Sequence, residues 1–255
     1  MGTIIGIANQ KGGVGKTTTA VNLSASLAVA EKKCLLIDCD PQGNATTGLG
    51  IEKGQLGKGL YELILGSASF EDVVQETGLE GLNVIGVNSN LIGAEVEMVS
   101  VDEREHRLRK KLDTIRTRYD YILLDCPPSL GFLTLNALTA ADQVLIPLQC
   151  EYYALEGLTQ LIDTVRAVRR GLNPSLSIGG IILTMYDSRN NLSQQIEEEV
   201  RNHFKDMVCK TVIPRNVRLS EAPSHGKPAL LYDIKSKGAQ SYLGLARELI
   251  ERGSM

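Results

Sequence analysis

Short apolar runs separated by segments of helical spacing organise this chain. TIIGIA (3–8), CLLID (34–38), LNVIGV (82–87), YILLD (121–125), QVLIPL (143–148), IGGIILTM (178–185) and VCKTVIP (208–214) have the pattern of buried strands. Between them, 17–30, 103–118, 130–141, 155–171, 193–204 and 238–252 repeat apolar residues at the helical period. DPQGNATTGLG (40–50) is rich in turn formers and reads as a loop. Strand and helix in alternation predict an α/β fold, a doubly wound and mostly parallel sheet with helices on both faces. In such sheets the ligand sits beyond the carboxyl ends of the strands, which is where Asp38, Asp40 and Asp125 fall.

Composition narrows the class. A chain of 255 residues with 43% hydrophobic content can bury a sizeable core, and no Pro/Ser-rich linker interrupts it, so one domain over 1–255 is expected. The five cysteines (Cys34, Cys39, Cys126, Cys150, Cys209) are scattered and show no C-x-x-C pair, which reads as reduced cytoplasmic thiols rather than a disulfide framework or zinc site. MGTIIGIANQ is too short in its apolar part for a signal peptide, and no segment reaches the roughly 20 apolar residues of a membrane span. Net charge is −3 but uneven: residues 1–165 carry 13 Lys and Arg against 21 Asp and Glu, and residues 166–255 carry 14 against 9. The basic second part points weakly to a polyanion-binding face, with solvated helix surfaces as the ordinary alternative.

The chemistry is concentrated after the first strand. In NQKGGVGKTTT (9–19), Gly12, Gly13, Val14 and Gly15 let the backbone curl so that successive N–H groups point inward, and a helix N-terminus follows. The pattern G-x-x-x-x-G-K-S/T of phosphate loops is met at Gly15-Lys16-Thr17, while its first glycine is replaced by Gln10. Lys16 can reach β- and γ-phosphate oxygens, Thr17 can ligate magnesium, and Thr18 is placed for the α-phosphate. A dinucleotide loop is excluded, because G-x-G-x-x-G begun at Gly13 would need glycine where Thr18 stands.

The expected partners of such a loop are acids at strand ends. Asp125 closes YILLD and would hold magnesium through a water, and the stiff Pro127-Pro128-Ser129 loop behind it suits γ-phosphate sensing. Asp40 is the candidate for positioning or activating the attacking water. Asp38 would hold the adjoining loops or the outer shell of the metal, a turn hydrogen bond being the other reading for either residue. Lys11 begins the loop and can be an exposed lysine, or can project into a neighbouring site as an arginine finger does.

With KGGVGKT, DCDPQGNAT and ILLDCPPSLG together, the sequence resembles the deviant Walker A family of P-loop ATPases, marked by the early lysine. EYYALEGL (151–158), LTMYDSR (183–189) and TVIPRNVRLSEAPSHGKP (211–228) resemble its chromosomal ParA/Soj partitioning branch, and the likeness runs from residue 3 to about 250. The resemblance implies an ATP- and Mg2+-dependent homodimer in which Lys11 acts across the interface and Asp40 is needed for hydrolysis. It implies that Pro214 and Asn216 hold the adenine. It also implies nonspecific binding of double-stranded DNA, for which Arg189, Arg218, Lys227, Lys235 and Lys237 are candidates, and a ParB-type centromere-binding partner that stimulates hydrolysis.

The phosphate loop starts too early to leave room for an N-terminal helix-turn-helix domain, so operator-specific repression is not expected. A MinD-like membrane-surface role is the alternative. The terminal SYLGLARELIERGSM lacks a polybasic or aromatic stripe, and its Leu243, Leu245, Leu249 and Ile250 suit packing, so no stable membrane association is expected. Cys126 has no partner of the kind that holds an iron–sulfur cluster and reads as packing. A cytoplasmic, nucleoid-associated protein is the expectation.

Overall fold

Successive strand residues point into two different apolar layers, which is how runs that are apolar throughout come to be buried on both faces. In the computed structural model, which describes all residues except 92, 94–96, 99, 100, 152, 153, 254 and 255, Ile4, Leu35, Ile37, Ile122 and Leu124 belong to one cluster. Ile5, Ile7, Leu36 and Leu123 belong to the other.

The sheet has seven strands: β1 (Thr3–Ile7), β2 (Cys34–Asp38), β3 (Val74–Glu76), β4 (Leu82–Ile85), β5 (Tyr121–Asp125), β6 (Gln143–Gln149) and β7 (Ser177–Thr184). Their order is β3-β4-β2-β5-β1-β6-β7. All neighbours are parallel except β3 against β4, an antiparallel edge that sequence periodicity did not reveal.

Helices cover both faces. On one side lie α1 (Lys16–Val29), α2 (Asn44–Gly48) and, from the end of the chain, α9 (Val217–Glu221), α10 (Ala229–Tyr232) and α11 (Lys237–Gly253). The other side carries α3 (Leu60–Leu65), α4 (Phe70–Val73), α5 (Arg107–Asp113), α6 (Phe132–Ala140), α7 (Ala154–Gly171) and α8 (Asn191–Phe204). The apolar stripe of α11 is covered, with Leu245 and Ala246 buried and Leu249 nearly so. Among the described residues no helix is long and apolar enough to cross a membrane.

Three expectations are corrected. The 40–50 segment contains α2, whose start is held by Asp38 rather than by its own sequence. The 103–118 segment is helical only over Arg107–Asp113, flanked by single 3-10 turns at Arg104–His106 and Arg116–Arg118. The 208–214 run is no strand and makes only isolated bridges, Val208 to Ile181 and Pro214 to Tyr186. Between those bridges the Lys210 and Thr211 N–H groups donate to the Glu248 carboxylate at 2.7 and 2.8 Å, and Pro214 has no N–H to give. Tyr152 and Tyr153, in the EYYALEGL stretch, lie outside the described residues.

Candidate active site

The loop after β1 folds back on itself before α1 begins. Gly13 and Gly15 have φ of 75° and 90°, the left-handed region that an L side chain disfavours, so glycine is required there. Asn9, almost fully buried, fixes the entry: its Nδ2 donates to the Pro147 carbonyl at 2.7 Å, and its Oδ1 accepts the Lys11 N–H at 3.0 Å. The exit is held from β7, where the Thr184 hydroxyl donates to the Val14 carbonyl at 2.8 Å.

The two lysines point to different places. Lys16 is mostly buried and its Nζ donates to the Lys11 carbonyl at 3.1 Å, across the mouth of the loop. Burial lowers its pKa, and the charges of Asp125, Cys126 and Asp40 oppose that shift. Lys11 reaches out instead, its half-exposed Nζ lying 2.7 Å from Glu151 Oε2. Gln149 Nε2 donates to the other oxygen of the same carboxylate.

The register of β2 against β5 sets Asp38 beside Asp125. Both carboxylates are fully buried, but their surroundings differ. Asp38 is satisfied: Oδ1 accepts the Asp40 N–H at 3.1 Å, and Oδ2 accepts the Thr46 N–H and hydroxyl at 2.8 and 2.7 Å. Burial nonetheless pushes its pKa up to about 6 against those bonds. Asp125 has both oxygens buried without a well-formed hydrogen bond, only the Thr17 hydroxyl coming near. Burial and then the neighbouring Asp38 raise its pKa well above the usual carboxylate range, while Thr17 and Lys16 pull the other way. A buried, unpaired acid of this kind is costly alone and is relieved by a cation, so the donor set fits a hard metal ion such as Mg2+.

Asp40 lies at the wall of an open cleft of about 550 Å³ that is lined also by Gly12, Gly13, Gly15, Lys16, Thr17, Thr18 and the Pro127-Pro128-Ser129 loop. One of its oxygens accepts the Gln42 N–H at 2.9 Å, which fixes a side chain that is itself largely buried at the cleft wall. A second cleft of about 280 Å³ shares Gly15, Thr18 and Met185 with the first and contains Pro214, Arg215 and Asn216. Asn216 caps α9, its Oδ1 accepting the Arg218 N–H at 3.0 Å, so its amide N–H groups remain for a ligand. Val14 faces the core, and only its backbone serves the loop.

Sequence reasoning missed Met185, Gln42 and Asn44 in these walls. Met185 has φ of 51° directly after β7, and its position at a strand end was the one available signal. Cys126 is buried with its thiol pKa raised by burial, and among the described residues no cluster of His, Cys, Asp and Glu could hold a metal by itself.

With this geometry in place the chain can be compared with known proteins. Its residues 2–178 match the family described as AAA domain. It is 58% identical over 253 residues to the sporulation initiation inhibitor protein Soj of Bacillus subtilis, covering 99% of this chain and 100% of that one. The chain belongs to the ParA/Soj family of chromosome-partitioning ATPases.

A second relative, the chromosome partitioning protein ParA of Myxococcus xanthus, is 59% identical over 99% of this chain and 89% of its own. Among solved structures, cobyrinic acid a,c-diamide synthase of Mycobacterium smegmatis with bound ATP analogue and magnesium has a TM-score of 0.88 at 35% identity, covering 100% of this chain and 96% of that one. This ParA/Soj-family chain is accordingly a P-loop ATPase whose cofactors are ATP and Mg2+.

The basic candidates are exposed but not equivalent. Arg189, on the loop before α8, is paired with Asp187 at 2.8 Å. Arg218, on α9, is paired with Glu221 at 2.7 Å and Asp233 at 3.3 Å. Lys227, Lys235 and Lys237 are exposed and, among the described residues, form no ion pair.

The Asp38–Thr46 pair gives a test of what shapes the Asp40 loop. The Thr46 hydroxyl also accepts the Val87 N–H at 3.1 Å. Thr46→Val keeps the volume but leaves two buried groups each short of a partner, at about 1–3 kcal/mol for an unsatisfied group. Chemical denaturation is expected to show that loss, with Thr46→Ser recovering most of it. A valine variant as stable as the wild type would show that the hydroxyl does not hold the loop.

Proposed function

We propose that this ATPase is a nucleotide-driven switch for DNA partitioning. ATP occupies the two joined clefts, with its phosphates in the Gly12–Thr18 loop and its base against Pro214 and Asn216. The observation that carries the reading is the division of labour between the lysines: Lys16 closes its own loop, whereas Lys11 lies outside the lining of that cleft and keeps an exposed ammonium. An ATP-bound homodimer that meets through this face gives Lys11 a partner-site phosphate to neutralise.

The chain's own residues then divide the hydrolysis. Asp40 orients the attacking water and accepts its proton, as a carboxylate at the cleft wall can do. Lys16 and the inward backbone N–H groups stabilise charge on the transferred phosphoryl group, and the partner's Lys11 adds to it. Thr17 directly and Asp125 through a water would hold magnesium, whose positive charge would offset that of the phosphates. Asp38 holds the Asp40 loop and, at most, the outer shell of the metal.

The ATP dimer binds double-stranded DNA without sequence choice through Lys227, Lys235, Lys237, Arg218 and Arg189, which places it on the nucleoid in the cytoplasm. A ParB-type centromere-binding protein stimulates hydrolysis and releases it. The membrane-surface alternative gains nothing from α11, whose apolar face is already covered by the domain.

DNA retention is therefore expected to require ATP and to fall steeply with salt, since phosphate contacts release counterions. Equal retention with ADP would overturn the switch, and ATP-dependent pelleting with anionic liposomes would favour the membrane reading. Because Arg218 is neutralised locally, Glu221→Gln with Asp233→Asn is expected to tighten DNA binding and steepen its salt dependence. Unchanged affinity would remove Arg218 from the interface.

A further inference from the structure

Apart from the second cleft itself, which takes in Asn216, Ser220 and Pro223, three contacts join the basic C-terminal segment to the nucleotide site, and they differ in kind. Two are anchors on α1. Asn22 Oδ1 accepts the Ala229 N–H at 2.7 Å while its Nδ2 donates to the Thr18 carbonyl at 2.8 Å. Further along, the Thr19 and Tyr242 hydroxyls meet at 3.1 Å in the core. Helix α1 is packed between the sheet and α11, so these bonds fix where the segment sits.

The third contact is made with the loop that carries Asp40. Gly50 ends the turn after α2 with φ of 82°, and Gly226 ends the Ala222–His225 turn with φ of 61°. Their backbones cross without any side chain between them. A Cβ on Gly226 would stand 2.6 Å from the Gly50 Cα, and one on Gly50 would stand 3.0 Å from the Gly226 carbonyl oxygen. Contacts between side chains can yield by changing rotamer, whereas two touching backbones must move together.

Both sides of the crossing lead to functional residues within a few bonds. On one side α2 and Asp40 act as one hydrogen-bonded unit, because Thr46 and the Asp40 N–H share the Asp38 carboxylate. On the other, Gly226 is followed by Lys227 and then Pro228, whose ring fixes φ and limits slack. The Lys227 N–H donates to the Ala222 carbonyl at 3.3 Å, which closes the turn onto the end of α9 and hence onto Arg218.

We infer that the Gly50–Gly226 crossing is the mechanical coupling by which the Asp40 loop, on meeting the γ-phosphate, repositions Lys227 and the α9 turn and so sets DNA affinity. The inference rests on the DNA-binding reading above and adds the route by which nucleotide state reaches that surface. A coupling of this type changes affinity by roughly 5–150-fold.

The test compares DNA retention with ATP and with ADP, at one salt concentration, in the full-length wild type, Gly226→Ala and Gly50→Ala. The wild-type ratio is expected to exceed about 5-fold. It should fall toward one in both variants, with DNA-free phosphate release little changed in Gly226→Ala. Asn22→Ala, which loosens an anchor, should lower Tm yet keep the ratio. Folded glycine variants that keep the wild-type ratio would overturn the coupling.

Hydrogen exchange on the wild type decides the matter if the variants do not fold. Relative to Mg-ADP, which fills the base pocket and its Ser220 and Pro223 wall equally, Mg-ATP should alter protection in 222–228 together with 40–50, and a difference confined to 40–50 would sink the proposal. Should the wild type retain no DNA with either nucleotide, the DNA reading fails, while the exchange experiment still judges the coupling.

Discussion

Asp40→Ala is expected to bind Mg-ATP as the wild type does and to release phosphate about 10²–10⁴-fold more slowly, the range a positioned general base supplies. The side chain lines the cleft and is held by the Gln42 N–H at 2.9 Å, so its loss removes a turn bond and a charge at the cleft wall. Asp40→Asn separates those two losses. The amide oxygen can still accept from Gln42, but the residue can no longer take a proton. Recovery of turnover by the asparagine variant would assign Asp40 to loop shape alone, whereas an inactive asparagine variant with unaltered nucleotide affinity assigns it to the water. The hydrolysis-deficient protein is also the form in which an ATP dimer on DNA can be captured.

Lys11→Ala is expected to abolish nucleotide-dependent dimers while leaving ATP binding by the monomer intact. Its visible partner is Glu151 at 2.7 Å, and both side chains are over 40% exposed. An ion pair so screened is worth about 0–1 kcal/mol, so the variant should unfold close to the wild type. Lys16→Ala should behave in the opposite way, losing nucleotide affinity itself, because its buried ammonium lies inside the loop. Light scattering with ATP, in the hydrolysis-deficient background, reads the difference. Dimers that persist in Lys11→Ala would confine that lysine to the surface pair with Glu151.

Much of this site was legible because its parts are local. A glycine loop that needs φ of 75° and 90°, the lysine and threonines that open the next helix, and an aspartate closing each of two apolar runs are all matters of neighbouring residues. The less legible parts are held from a distance. Helix α3 is six residues long, too short to show a period, and Glu62 in its first turn accepts the Gly59 N–H at 2.7 Å locally but is also held by Asn88 and Asn90 from beyond β4. The run at 208–214 had the composition of a strand, and its Cys209 and Ile213 N–H groups do reach β7 carbonyls, yet Glu248 takes two N–H groups between them from 37 and 38 residues away.

The sequence by itself determined the α/β class, the phosphate loop and the acids available to it, because burial period and turn chemistry act over a few residues. Tertiary structure alone decided that β5 lies between β1 and β2, which makes Asp38 and Asp125 neighbours and leaves only the second unpaired. It likewise brought Lys11 to Glu151 and Gly50 against Gly226. The physical reason is that apolar runs of similar composition encode which faces are buried but not which strand pairs with which. That choice falls to the crossover connections and to packing across the whole sheet.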